Sequence, residues 1–330
     1  MTQSNKVSVF APASIGNVGV GFDVLGLAVK PIDGMLLGDV VSVEKADYDS
    51  LEVVGRFAHK LPGDPKDNIV WHCLALFNIA LIDSDKKVDC VKLTLDKKMP
   101  VGSGLGSSAC SVVAALEGLN VYYQQAHGVS FDEKAMLSMM GKMEAKISGS
   151  LHYDNVAPCY LGGLQLMVPD EQIIARTLPV FTDCYYVMAY PGIEVSTKAA
   201  REVLPTSYSR ADLITHGQNL ATFVDACHRQ DKQQAFSVLD DVVAESYRQH
   251  LLPGYQAAKV YLLAQGNLAV GISGSGPTLF CVSDNLSLAQ DNAIWLQAHY
   301  LQTINGETDG FVHICQADIN GAVKVVNATV

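Results

Sequence analysis

Apolar and polar positions change their period several times along the chain, and each change marks an element. Residues 6–10, 39–44, 51–56 and 90–95 are short runs rich in Val and Leu with partial alternation, the pattern of strands. Ile69, Cys73, Leu76 and Ala80 recur at helical spacing and predict a helix over 67–81. Val112, Leu116, Leu119 and Tyr123 predict another over 107–123. Ser130 followed by Glu133 reads as a capping box opening a third helix to about residue 147. After Gly162-Gly163 the pattern renews itself. Strands are expected at 164–168, 185–190, 269–272, 278–282, 311–314 and 323–326, and helices at 211–229, 232–247, 255–265 and 288–301. Strands and helices do not alternate strictly, as a doubly wound parallel sheet requires. The expected class is therefore α+β, with two sheets and two domains, 1–168 and 169–330; Pro169 and Pro179 mark the junction.

Composition narrows the class of function. The 330 residues are 49% hydrophobic and 17% charged, a globular composition that excludes intrinsic disorder. The net charge of −11 repels phosphate backbones and anionic lipid, so no nucleic-acid or membrane partner is expected. Any phosphate must then be handled in a small local site. No apolar run approaches the roughly 20 residues of a membrane span, and the opening residues lack the basic and apolar regions of a signal peptide. A cytoplasmic protein is expected. The eight cysteines are scattered, with no C-x-x-C pair and no zinc spacing, and are read as free buried thiols.

The most informative stretch is Pro100-Val101-Gly102-Ser103-Gly104-Leu105-Gly106-Ser107-Ser108-Ala109-Cys110. It follows a strand and Lys97-Lys98, and it opens a helix. Alternating glycines let the backbone turn sharply and aim several N–H groups at one spot. The helix start adds free donors and a favourable dipole for an anion. Ser107 and Ser108 add hydroxyls. No Lys follows the last glycine, so this is not a Walker A loop, and the G-x-G-x-G spacing is not a Rossmann fingerprint. A ligand-free strand-to-helix turn is the plain alternative. Two more loops match in kind. Residues 11–23 are dense in glycine yet hold Asn17 and Asp23, and residues 271–278 join two expected strands. Three such loops are hard to explain as connectors alone.

Together the three loops closely resemble the signature motifs of the GHMP small-molecule kinases. The segment Pro12-Ala13-Ser14-Ile15-Gly16-Asn17 through Gly21-Phe22-Asp23 resembles the homoserine kinase branch of that family. So does Ser148 to Pro158, which contains His152, Asp154 and Asn155. The segments holding Thr197 and Arg201, and Arg248 with Leu252-Pro253-Gly254, point the same way. The resemblance runs from Ala11 to Pro277. It implies an N-terminal ATP-binding domain like domain 2 of ribosomal protein S5, a ferredoxin-like C-terminal domain, and transfer of phosphate from ATP to L-homoserine. It also implies a homodimer.

Residue by residue, the resemblance puts ATP on residues 100–110, with Asn68 and Val70 near the adenine and Mg²⁺ on Ser108 and Glu144. Both metal ligands are hard oxygens, as Mg²⁺ prefers. A zwitterionic substrate needs a cation and an anion. Arg201 and Arg248 suit the carboxylate as bidentate forks, with Thr197 assisting; Asn17, Asp23 and Asp154 suit the amine. His152 is read as substrate-binding, with an orienting or core role equally open. Some relatives carry an Asp eleven residues after the metal-binding Glu; here that position is Asn155. Asn155 can orient a hydroxyl but cannot take its proton, which leaves Asp154 or no strong base at all. Two rival readings stand at this point: another GHMP kinase with a mevalonate-type substrate, and a non-catalytic ligand-binding relative.

Overall fold

The apolar run at 7–12 becomes strand β1 (Val7–Pro12), buried along its whole length. In the computed structural model, which describes residues 6–170, 172–302 and 308–325, β1 is an interior strand of a first sheet. It pairs antiparallel with β4 (Gly38–Lys45) on one side and β13 (Val323–Lys324) on the other. β6 (Val91–Asp96) continues from β4, and β5 (Ser50–Val54) closes the sheet in parallel with β6. The second sheet runs β10 (Ala269–Ile272), β11 (Leu279–Ser283), β9 (Tyr185–Tyr190), β12 (Phe311–Ala317), β3 (Leu25–Pro31), β7 (Leu164–Met167), β8 (Ala175–Leu178), with β2 (Ser14–Gly16) also on β3. This sheet draws strands from both halves of the chain, and β13 returns to the first sheet.

Helix α2 (Ser107–His127) lies across β1 and β4, flanked by α1 (Ile69–Asp83), α3 (Glu133–Ser148) and α4 (Val156–Leu161). Small residues let α2 sit close to the sheet: a Cβ added at Gly118 would lie 3.1 Å from Val43. Beside the second sheet lie α9 (Tyr255–Ala264) and α10 (Leu286–His299), which share a separate apolar cluster with β9, β10 and β11. The remaining helices are α5 (Thr197–Glu202), α6 (Arg210–Arg229), α7 (Lys232–Ser237) and α8 (Glu245–Arg248). No helix of the described residues is long and apolar enough to cross a membrane.

The α+β class and two sheets stand as expected. Several elements differ. The helix expected over 232–247 is broken into α7 and α8, because the Asp241 carboxylate accepts the N–H groups of Val243 and Ala244 at 2.9 and 2.8 Å and nucleates a turn between them. The cap of α3 is Asp132, which accepts the Ala135 N–H at 2.8 Å, and not Ser130. Strands β2 and β3 lie in or beside the glycine-dense opening segment; most of their residues are buried, so the period of two is absent. Helix α4 hides behind Pro158, tolerated in a first turn where its missing N–H costs no bond. Val326, the end of the last expected strand, lies outside the described residues. All eight cysteines are free; seven are buried and Cys90 is exposed, against the expectation for that one.

Candidate active site

The three glycine-rich loops are knitted into one floor. The Ser14 N–H donates to Leu105 O at 3.1 Å, and the Gly274 N–H to Gly16 O at 3.1 Å. Ser273 Oγ donates to Gly104 O at 2.7 Å, and Thr278 Oγ1 to Ser103 O at 2.7 Å. This closeness explains the glycines at two positions. Gly104 and Gly106 have φ of 78° and 68°, and a Cβ at Gly104 would stand 2.5 Å from Ser273 O. A Cβ at Gly106 would stand 2.4 Å from Ser14 Oγ. Gly106 is also the residue from which α2 begins, so the free N–H groups of that helix open where the loops meet.

Under this floor lies a charged pair that the sequence did not single out. Lys97 Nζ donates to Asp39 Oδ2 at 2.6 Å and to Ser107 O, Ser107 Oγ and Ser111 Oγ at 2.8 to 3.0 Å. The other Asp39 oxygen accepts the N–H groups of Lys98 and Met99, both at 3.0 Å. Both side chains are buried. The ammonium thus ties the first turn of α2 to the strand before the loop. An acid at the start of one strand and a lysine after another carry no local signature of this pairing.

Ser108 Oγ donates to Glu144 Oε1 at 2.7 Å. Burial raises the Glu144 pKa, opposed by the Ser108 bond and the Lys97 charge. Two adjacent oxygen donors at the helix start, one an acid that burial makes costly to ionise alone, fit a small hard divalent cation.

Beyond the loops the cavity becomes a nest of side-chain charges. Arg201 grips Asp23 with both terminal nitrogens, Nη2 to Oδ1 at 2.6 Å and Nη1 to Oδ2 at 3.2 Å. His152 Nδ1 lies 3.4 Å from Asp23 Oδ1, and Asp23, His152 and Asp154 place their ligating atoms within 4.8 Å of one another. Burial lowers the His152 pKa, with Asp23 opposing and Arg201 adding to the fall. Asp154 is pushed up to about 7, by burial first and then by the charges of Asp23 and Glu144. Arg248 is buried; its Nε donates to Ala200 O at 2.9 Å and its Nη1 to Gly274 O at 3.0 Å. Asn155 Oδ1 accepts from Ser14 Oγ at 2.9 Å, while its Nδ2 faces Asp154 Oδ2 at 3.2 Å.

A cavity of about 430 Å³ joins these groups, within the range of small-molecule sites. Val101, Gly102, Ser103, Gly104, Gly106, Ser107, Ser108, Glu144 and Asn68 line one part; Asn17, Asp23, His152, Asp154, Asn155, Thr197, Arg201 and Arg248 also line it. Other expected contacts lie elsewhere. Leu105, Ala109, Cys110 and Val70 are fully buried in the core, because the inner faces of α1 and α2 must pack on each other and the sheet. Pro100 lines a separate small recess. Asn17 reaches the cavity, but its amide braces the first loop: Oδ1 accepts the Asp23 N–H at 3.0 Å and Nδ2 donates to Gly274 O at 3.3 Å. Asn68 caps α1 through Val70 N–H at 2.9 Å, and its Nδ2 is buried with no partner among the described residues.

Comparison with known proteins follows the same lines. The profile of the GHMP kinases N terminal domain matches residues 68–163, a span that holds the central loop, Glu144, Asp154 and Asn155. The structure of homoserine kinase from Cytophaga hutchinsonii aligns with a TM-score of 0.86 at 30% identity, over 98% of this chain and 99% of that one. A putative homoserine kinase from Listeria monocytogenes aligns with a TM-score of 0.67 at 21% identity, over 97% and 100%. A mevalonate kinase shares the fold at a TM-score of 0.66 and 11% identity, over 95% and 99%. Full-length likeness at that identity, on a chain whose three glycine loops converge on one cavity, places it: this protein belongs to the GHMP kinase family and is an ATP-dependent small-molecule kinase.

Proposed function

We propose that the protein transfers the terminal phosphoryl group of ATP to the hydroxyl of L-homoserine, giving ADP and O-phospho-L-homoserine, a step toward threonine. The observation that carries this reading is the presence of both charge signs in one cavity. Asp23 and Asp154 stand beside Arg201 and Arg248, so an ammonium and a carboxylate on one small molecule each meet a partner. A mevalonate-type acid would meet the arginines but bring no ammonium to Asp23 and Asp154. The relative from Cytophaga hutchinsonii, named a homoserine kinase, supports the same choice.

In this reading the phosphates lie on the N–H groups of residues 102–108, and the substrate zwitterion spans Asp23, Asp154, Arg201 and Arg248, with Thr197 and His152 at its edge. Ser108 and Glu144 would hold Mg²⁺, which when bound neutralises charge on the phosphates. Asn155, held by Ser14, orients the hydroxyl. A loose phosphoryl-transfer transition state demands little of a base, so positioning and charge neutralisation supply most of the rate. The proposal includes a cytoplasmic homodimer, which sedimentation equilibrium would check. The deciding test is ADP release with homoserine, mevalonate and galactose in parallel. Turnover of homoserine alone supports the reading; preference for mevalonate ends it. Asp154→Asn abolishing turnover while homoserine still binds normally would make Asp154 the base.

A further inference from the structure

Phe22 sits between Gly21 and Asp23 in the turn joining β2 to β3, and the reading above gives it no task. Its ring meets two cations. The Arg201 guanidinium carbon lies 5.5 Å from the ring centroid, and that of Arg248 lies 5.4 Å away. The two arginines come from α5 and α8; Arg248 Nε donates to Ala200 O at 2.9 Å and ties the two segments through main chain, while the Arg201 side chain is placed by its own contacts. Like charges brought together in a half-buried place repel, and each loses hydration. Burial lowers the Arg248 pKa; the Arg201 charge adds to the fall, and the charges of Asp241, Asp23 and Asp154 oppose it. Arg201 Nε is buried with no hydrogen-bond partner among the described residues. Asp23 answers the Arg201 charge, whereas the bonds that Arg248 makes go to the carbonyls of Ala200 and Gly274. An aromatic face is negative, and a ring touched by two guanidiniums attracts both.

We infer that Phe22 is a positioning residue that holds Arg201 and Arg248 at a set separation, so that the two together form one receptor for the substrate carboxylate. A leucine of similar bulk would fill the space but offer no negative face. The ring is tied to the amine side as well. Its neighbour Asp23 takes φ of 59° and is gripped by Arg201, so displacement of Phe22 moves both halves of the zwitterion site. The identity of the carboxylate rests on the homoserine reading; the clamp itself does not.

The test compares wild type, Phe22→Leu, Phe22→Tyr and a chain carrying pentafluorophenylalanine at position 22, which keeps the ring's shape and removes its negative face. Homoserine KM should rise about tenfold in the leucine and fluorinated proteins, the size of one to two such contacts, and return to near wild type in Phe22→Tyr. Homoserine kcat and the KM for ATP should change little. The KM for 3-aminopropan-1-ol, which lacks the carboxylate, should be the same in all four. In the unliganded proteins, the Arg201 and Arg248 Nε–Hε proton resonances should both move downfield when the ring is replaced by leucine. An unchanged homoserine KM, an equal rise for the carboxylate-free alcohol, or a fluorinated protein that behaves as wild type overturns the inference. If wild type turns over no homoserine, the homoserine reading fails instead. The resonances then decide the clamp: movement of both supports it and movement of neither overturns it. Should Phe22→Leu fail to fold, the fluorinated chain carries the comparison.

Discussion

The two ends of the cavity are built from different material. The end to which we assign the phosphates is backbone: three glycine loops bonded to one another through Ser14, Ser273 and Thr278, with a helix start opening between them. The end to which we assign the substrate is side chain: Asp23, His152, Asp154, Arg201 and Arg248, from four separate segments, joined by charge. A backbone site accepts changes of side chain but no added Cβ. A charged site accepts small shifts of backbone but no change of sign or shape. The net charge of −11 fits this division, because in the proposed reading phosphate would be met by N–H groups and not by a basic surface.

Four changes would test the contrast. The largest effect is expected from Gly104→Ala. Its φ of 78° is strained for alanine and the new Cβ would stand 2.5 Å from Ser273 O. A stability loss of about 2–4 kcal/mol in calorimetry, with ATP binding lost by titration, is expected. Retained ATP affinity would show that the loop is only a connector. Next comes Arg248→Ala, which removes a buried fork, leaves the Ala200 carbonyl without its Arg248 donor and leaves Gly274 O only the longer bond from Asn17 Nδ2. Homoserine kcat/KM should fall about a thousandfold while the KM for ATP changes little. An equal loss in both would mean that the two ends are not separate devices.

Asp154→Asn should act through pH. The folded-state pKa of Asp154 is raised from 3.8 to about 7, so the folded chain binds this proton more tightly than the unfolded one. The stability it contributes is full below pH 3.8 and is lost as pH rises to about 7. The asparagine variant stays neutral. Its melting temperature relative to wild type should be higher at pH 8 than at pH 5, by the equivalent of on the order of 2 kcal/mol after allowing for relaxation. A difference that does not change with pH would show that Asp154 is not desolvated. The smallest effect belongs to Asn155→Ala. If that amide only orients a hydroxyl, kcat should fall about fivefold to tenfold, as for one lost hydrogen bond. A fall of a thousandfold would give Asn155 a larger part.

Legibility followed the same division. The helix opening at Ser107 shows as apolar residues at helical spacing although it is buried on nearly every side, and the helix opening at Glu133 was legible from its start, with Asp132 and not Ser130 as the cap. β2 and β3 do not, since most of their residues are buried and the alternation vanishes. The break between α7 and α8 turns on one carboxylate, Asp241, capturing two N–H groups, a choice that helical spacing cannot display.

What the sequence determined by itself is the conformation of the central glycine loop. Gly102, Gly104 and Gly106 alternate within five residues of the chain, and a left-handed backbone with converging N–H groups follows from their local freedom. It also supplied the candidates for the charged end, one by one. Only the tertiary structure decided how they combine: that Asp23 holds Arg201, that Phe22 stands against two arginines, that Lys97 neutralises Asp39 beneath the loop, and that Asn17 braces a turn. Charge interactions act over a few ångströms and take no account of separation along the chain, so Asp23 and Arg201, 178 residues apart, become partners only when the fold brings them together.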